Sequence, residues 1–317
     1  MVHITIDGNE MDVPAGTTVL QATRMAGIEI PTLCDHPSLK PYGGCRLCVV
    51  EVEGARTLQA SCTLPVYNNM VVHTATPKVR KAREFVLTLL FSERNHFCMY
   101  CEKTAGDCEL QNAAYGEGMT HWPLQPNWKP YLVDASSPYF VFDHNRCILC
   151  RRCVRACAEL SGNFTLAIEN RGASSLVVAD YGVPMGESSC ISCGSCLQVC
   201  PTGALIDRAG AYLGPDVMLT HVDSICVGCS VGCGLDLSVR DNHLVRINGN
   251  WDAPVNAGVL CELGRFLSLE DDRARITTPL VRKDGALQPA SWAEALAVVG
   301  ARLETLRGRN GDGIAAL

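Results

Sequence analysis

Apolar and polar residues alternate through 2–6 and 10–13 on either side of Asp7-Gly8-Asn9, which predicts a β-hairpin. Thr17 or Thr18 is placed to cap a short helix that ends near Gly27. Strand-like runs follow at 49–52, 57–59 and 71–74. A helix is then predicted from Pro77 to about Phe91, with Thr76 as its cap and Pro77 at its first position. Val79, Ala82, Phe85, Val86, Leu89 and Leu90 form its expected inner stripe. Further strand pairs are expected at 164–169 and 176–180 around Asn170-Arg171-Gly172, and at 235–239 and 243–247 around Asp241-Asn242. Near the end, 277–281 reads as a strand, Lys283-Asp284-Gly285 as a turn and 291–306 as a helix. Ser291 and Glu294 match a capping box, and Leu296, Val299, Leu303 and Leu306 mark the inner face. Asp271-Asp272 reads as a solvated helix end.

The elements are short and the cysteines many: 19 in 317 residues. The 27 basic and 33 acidic residues nearly balance, so no basic excess points to nucleic acid. No apolar run approaches the ~20 residues that span a bilayer. The first residues lack the pattern of a secretory signal, and Arg151-Arg152 is internal rather than a twin-arginine signal. These features predict a cytoplasmic chain, in which thiols stay reduced. The odd count also argues against a disulfide framework and leaves metal as the reason for so many thiols.

Spacing sorts the cysteines into five groups. Cys147, Cys150, Cys153, Cys157 and Cys190, Cys193, Cys196, Cys200 both read C-x2-C-x2-C-x3-C. In that ferredoxin pattern the fourth cysteine crosses to the other cluster. The expected [4Fe–4S] sets are therefore Cys147, Cys150, Cys153, Cys200 and Cys157, Cys190, Cys193, Cys196. Cys34, Cys45, Cys48 and Cys62 sit in the hairpin–helix–strand order of a β-grasp ferredoxin and predict a [2Fe–2S] site, with Gly43-Gly44 allowing close backbone approach. Cys98, Cys101 and Cys108 are one ligand short of a cubane, and His96 is the candidate fourth. Cys226, Cys229, Cys233 and Cys261 form C-x2-C-x3-C-x27-C. Zinc on the same thiols is the competing metal reading. His3, His36, His73, His121, His144, His221 and His243 have no ligand spacing.

Taken in order, the motifs resemble the large iron–sulfur subunit of NAD-linked oxidoreductases: the α subunit of NAD-dependent formate dehydrogenase and the 75-kDa-type (NADH dehydrogenase G-type) subunit of respiratory complex I. The run Ser92-Glu93-Arg94-Asn95-His96-Phe97-Cys98 through Gly106-Asp107-Cys108-Glu109-Leu110-Gln111 looks most like the formate dehydrogenase version. The group 226–261 looks like the [4Fe–4S] domain that opens molybdopterin (bis-MGD) enzymes. The resemblance implies an α+β modular protein. Its parts are a β-grasp [2Fe–2S] domain over 1–77, a one-His/three-Cys [4Fe–4S] domain over 78–136, and a two-cluster ferredoxin domain over 137–217. A molybdopterin-oxidoreductase-type [4Fe–4S] domain over 218–274 follows, and 275–317 is the start of a molybdopterin-type domain or a tail. Where the catalytic families carry lysine after the last cysteine, between cluster and pterin, this chain has Leu263, followed by Gly264-Arg265.

The expected function is an electron relay holding one [2Fe–2S] and four [4Fe–4S] clusters between a flavin/NAD-binding subunit and a second redox partner, in a hetero-oligomer. Without Gly-x-Gly-x-x-Gly or Walker motifs, nucleotide and flavin binding are expected on the partner. Region 1–136 is the expected flavin-side contact, and the aromatics Trp122 and Trp128 serve that contact or cover a cluster. No catalytic residue is assigned. The alternatives are a truncated catalytic formate dehydrogenase α subunit, and a relay in a hydrogenase, quinone-reducing or flavin-bifurcating complex. Only 47 residues follow residue 270, fewer than a bis-MGD domain needs, so pterin is not expected on this chain.

Overall fold

The computed structural model describes residues 1–126, 128–269, 276–307 and 314, so Asp271-Asp272 lies outside the described residues. Two units are present, Met1–Glu270 and Asp271–Leu317.

The first unit opens with β1 (Val2–Ile6) and β2 (Asn9–Val13), then α1 (Val19–Met25), β3 (Val49–Val52), β4 (Gln59–Ala60) and β5 (Met70–His73). The five strands form one mixed sheet in the order β2-β1-β5-β3-β4, in which only β1 and β5 run parallel. This is the β-grasp arrangement. Thr18 caps α1 in a reciprocal capping box with Gln21, so two otherwise unpaired backbone donors are satisfied. Ile4, Ile6, Val19, Leu20, Val50 and Val72 fill the space between sheet and helix. Strand β4 starts two residues later than the sequence predicts, because Gln59 and Ala60 pair with Val50 and Val49.

Next come α2 (Pro77–Glu93) and α3 (Glu109–Gly116). Thr76 caps α2 as expected, accepting from the Val79 amide at 3.2 Å. The inner face of α2 is rotated from the expected stripe. Val79, Arg83 and Leu87, spaced i, i+4, i+8, are buried, whereas Phe85 and Leu89 are 59% and 46% exposed. The reason is polar. Arg83 donates to the carbonyls of Val49 (3.0 Å) and Thr74 (2.9 Å) and pairs with Glu117 (3.1 Å), tying α2 to the β-grasp sheet. Hydrophobic periodicity has no signal for a cation chosen to satisfy buried carbonyls.

The ferredoxin lobe follows with β6 (Val133–Asp134), β7 (Phe140–Asp143), α4 (Arg152–Arg155), β8 (Leu166–Glu169), β9 (Leu176–Ala179), α5 (Ser195–Gln198) and β10 (Leu205–Asp207). Strand β7 is central between β10 and β6, and β8–β9 is the predicted hairpin, with β8 beginning two residues late. A π-helical turn, Ala156–Leu160, continues α4 and carries Cys157.

The last part of this unit is the antiparallel sheet β11 (Thr220–Ile225), β12 (Gly234–Arg240) and β13 (His243–Gly249), and then α6 (Glu262–Arg265), whose N-cap is Cys261.

In the second unit, β14 (Leu280–Lys283) and β15 (Ala286–Pro289) form a hairpin turning at Asp284-Gly285, followed by α7 (Trp292–Arg307). Ser291 caps α7 at 3.2 Å, but Glu294 pairs with Lys283 instead of closing the box. No described residue of α7 is buried, and Leu296, Val299 and Leu303 are exposed. A two-stranded hairpin is too small to cover a helix face. Among the described residues no helix is long and apolar enough to cross a membrane.

Candidate metal centres

All 19 cysteines are free thiols. In the β-grasp domain the loop 34–48 turns back on itself so that the Cys45 amide donates to Cys34 Sγ at 3.4 Å. Hydrogen bonds from Cys45 and Cys62 pull the Cys34 thiol down, whereas Cys45 and Cys62 are pushed up, each by its hydrogen bond to Cys34 and then by further sulfur contacts and burial. Cys48 is lowered by its hydrogen bond to Cys62. The four sulfurs therefore form one connected group of the kind a metal centre replaces, since thiolates crowded together need a cation.

His96, Cys98, Cys101 and Cys108 line one small cavity under the end of α2. His96 and Cys98 are separated only by Phe97, whose left-handed backbone (φ 47°) turns the chain between them. The His96 ring is hydrogen-bonded by the Leu90 backbone, while its Nε2 is buried with no hydrogen-bond partner. A neutral imidazole held through one nitrogen, with the other bare, is what a metal ligand requires. Burial lowers its pKa to about 4, keeping the ring neutral. Burial likewise pushes the Cys108 thiol up to about 11. Arg146 closes the cavity, donating to the His96 carbonyl at 3.0 Å and to Asp143 at 2.6 Å. Gly203 is its floor: a Cβ there would stand 2.3 Å from Cys101 Sγ. Trp122 stacks on Phe91 (5.3 Å), which meets the His96 ring edge-on (5.6 Å). These aromatics cover the site.

In the ferredoxin lobe, Cys147, Cys150, Cys153 and Cys200 line a second small cavity. Burial pushes the Cys190 and Cys196 thiols up, and the charge of Cys157 acts on both in the same direction. Cys200 thus shares a cavity with three cysteines from the other half of the repeat. The two halves repeat one backbone. Leu149 and Ser192 are left-handed (φ 53° for both) and donate their amides to Cys147 Sγ and Cys190 Sγ, both at 3.4 Å. Arg151 and Gly194 repeat the left-handed turn at φ 62° and 68°. Burial is the leading cause that pushes Cys147 up to about 11 and Cys153 and Cys196 well up. Bare thiolates are unfavourable there, and a bound cation removes that cost.

Of the last set Cys226 is buried while Cys229 and Cys261 are exposed, and the Cys226 amide donates to the Cys233 carbonyl at 2.8 Å. Leu263 packs on this loop: a Cβ on Gly228 would meet its Cδ2 at 2.9 Å.

Comparison with known proteins follows the same order along the chain. Residues 1–77 match a 2Fe-2S iron-sulfur cluster binding domain, 83–122 the NADH-ubiquinone oxidoreductase-G iron-sulfur binding region, and 138–204 a 4Fe-4S dicluster domain. Residues 219–269 match the molybdopterin oxidoreductase Fe4S4 domain and 275–317 molybdopterin oxidoreductase. A chain of the NAD+-reducing [NiFe]-hydrogenase, solved in the H2-reduced state, superposes with a TM-score of 0.63 at 38% identity, over 68% of this chain and 91% of that one. The chain belongs to the family of iron–sulfur proteins related to the G-type subunit of NADH-quinone oxidoreductase. The second G-type subunit of the NADH-quinone oxidoreductase of Rhizobium meliloti is 38% identical over 99% of this chain and 37% of its own length. The alpha subunit of the NADPH-Fe(3+) oxidoreductase of Geobacter sulfurreducens is 32% identical over 98% of this chain and 36% of its own. The chain therefore spans little more than a third of these relatives, which are named as subunits.

Besides Arg83, four buried arginines of this family member carry no signal in the sequence pattern. Arg94 donates to the His144 and Ser175 carbonyls, both at 2.7 Å, and lies over the Tyr131 ring. Arg152 holds Glu109 by two bonds (2.6 and 2.7 Å). Arg146 closes the His96 cavity, and Arg265 enters the ferredoxin lobe. The motif Gly264-Arg265 is visible in the sequence, but nothing in its spacing says where the side chain goes.

Proposed function

We propose that this chain is the iron–sulfur electron-transfer region of an NAD(H)-linked oxidoreductase complex, relaying single electrons between a flavin/NAD-binding subunit and a second redox site. When bound, iron–sulfur clusters supply one-electron transfer at potentials set by charge, hydrogen bonds to sulfur and burial. The observation that carries the reading is His96. It is a buried imidazole whose Nε2 has no partner, in one cavity with three thiols.

The residues divide the work. Cys34, Cys45, Cys48 and Cys62 hold the [2Fe–2S] centre. His96, Cys98, Cys101 and Cys108 hold the first [4Fe–4S] centre, and Cys147, Cys150, Cys153 and Cys200 the second. Cys157, Cys190, Cys193 and Cys196 hold the third, and Cys226, Cys229, Cys233 and Cys261 the fourth. Leu149 and Ser192 direct amides at sulfur, and Phe91 and Trp122 exclude water from the His96 side. Domain limits at 77, 136, 217 and 274 fit these sets, and the location is cytoplasmic. Region 1–136 takes the flavin-subunit contact. The match of 275–317 to molybdopterin oxidoreductase supports a second reading, in which the region precedes a pterin domain.

Anaerobic purification with metal analysis tests the first reading. About 18 irons per chain are expected, with [2Fe–2S] and [4Fe–4S] signals in EPR. A colourless protein with about five zinc ions, one per four-ligand set, refutes it. Pterin in the native complex decides the second reading.

A further inference from the structure

Arg265 is among the largest fully buried side chains of the molecule, at 1% exposure. It ends α6, whose cap is Cys261, yet its guanidinium lies in the ferredoxin lobe. Nε donates to the Cys193 carbonyl at 2.8 Å, and Nη2 to Gln198 Oε1 at 2.6 Å. Nη1 donates to the Ile247 carbonyl and to Asn248 Oδ1, both at 3.2 Å. All four acceptors are neutral, so its hydrogen bonds are satisfied while its charge is not. A buried cation without an opposite charge is strongly unfavourable. The acidic groups acting on it are the Cys193 and Cys196 sulfurs and, after them, Asp207. The fold makes room for it: a Cβ on Gly194, inside the Cys193-Gly194-Ser195-Cys196 turn, would stand 2.1 Å from Arg265 Cδ.

We propose that Arg265 is the charge partner of the centre held by Cys157, Cys190, Cys193 and Cys196, and that it raises the reduction potential of that centre. The inference rests on the iron–sulfur reading above. Reduction adds one electron, delivered by a neighbouring one-electron carrier, to a site that is already anionic, and no proton moves on Arg265. A fixed cation in a buried setting stabilises the reduced form more than the oxidised one. The same side chain ties two centres together, because α6 begins at a ligand of one and ends in a contact to the other.

The test is an EPR-monitored redox titration of the holoprotein, following the [4Fe–4S] signal that is absent in Cys157→Ser. Arg265→Gln is expected to lower the reduction equilibrium constant of that centre at least tenfold, a fall of about 59 mV for a one-electron couple. Arg265→Lys, which keeps the charge, should retain most of the wild-type value. Gln198→Glu sets a carboxylate against Nη2 and neutralises the arginine in place, so it should lower the potential as Arg265→Gln does. The [2Fe–2S] signal should stay unchanged throughout. An unshifted midpoint in Arg265→Gln and Gln198→Glu overturns the proposal, as does a fall in Arg265→Lys equal to that in Arg265→Gln. If Arg265→Gln fails to retain the centre, Gln198→Glu alone decides. Wild-type protein with no [4Fe–4S] signal would instead refute the iron–sulfur reading itself.

Discussion

Gly203→Ala is the sharpest probe of the His96 site, because it replaces no proposed ligand. A methyl group at residue 203 would stand 2.3 Å from Cys101 Sγ, with Arg146 Cδ at 3.5 Å and Lys103 Cγ at 3.7 Å. Non-bonded heavy atoms settle near ~3.5–4 Å, so the sulfur has to retreat by more than about 1 Å. Metal–ligand distances tolerate only ~0.2 Å. The glycine cannot move away instead. Thr202 Oγ1 donates to the Arg146 carbonyl at 2.8 Å, and the Pro201 carbonyl accepts from the Glu109 amide at 2.9 Å. Arg146 in turn is fixed by Asp143 and the His96 carbonyl. Gly203 is not in the left-handed region, so alanine meets no backbone strain and the effect is purely steric. The variant is expected to lose one [4Fe–4S] signal and about four irons per chain, with the [2Fe–2S] signal intact. Overpacking should also cost about 1–3 kcal/mol, read as a lower urea midpoint. Wild-type iron content with an unaltered EPR spectrum would refute the steric argument and the placement of Cys101 at a metal.

His96→Ala should remove the same EPR signal as Gly203→Ala, and a spectrum identical to wild type takes His96 off the ligand set. In iron-free protein His96 also carries a pH signature: its folded pKa, lowered to about 4 by burial, lies below the ordinary 6.5. The unfolded chain binds the proton first, so stability is full above about pH 6.5 and is lost as pH falls toward 4, by up to about 3 kcal/mol. Urea midpoints of the iron-free wild type and His96→Ala should converge over that window, and parallel curves contradict the burial. Cys157→Ser should damage the centre of Cys190, Cys193 and Cys196; loss of the Cys147 centre instead would break the exchange of fourth cysteines. Arg83→Met strands Glu117 and two carbonyls and should cost about 3–5 kcal/mol in chemical denaturation, with the metal signals of the surviving folded protein unchanged. A loss below about 1 kcal/mol shows that those groups find water.

What could be read from the sequence follows from how local the determinant is. The Thr18 and Thr76 caps and the hairpins around Asn170 and Asp241 depend on residues a few positions apart, and the structure has them where spacing puts them. The two- and three-residue strands β4, β6 and β10 are too short for any periodicity. They exist because Gln59, Val133 and Leu205 find partners made elsewhere in the chain. The buried arginines are the deeper omission, and they share one cause. The ferredoxin and His96 lobes are built from tight turns rather than long ladders, so carbonyls such as His96, Val199 and Cys193 point into the interior with no strand to receive them. A guanidinium offers five donors in a fixed plane, enough to collect several such carbonyls at once. Its positive charge would be a liability in an ordinary core. Beside an anionic metal centre it becomes an asset, and this is how Arg265 is buried with only neutral hydrogen-bond acceptors while Arg83 is paired with Glu117. The difference yields a rule that the Arg265 and Arg83 variants test together. Removing the iron should destabilise the surroundings of Arg265, which then lacks its counter-charge, and leave those of Arg83 as they were. Hydrogen exchange at the Cys193–Gln198 and Val49–Val52 amides, compared with and without iron, reads the two sites separately. Equal loss of protection at both would mean that Arg265 is held by its neutral acceptors alone.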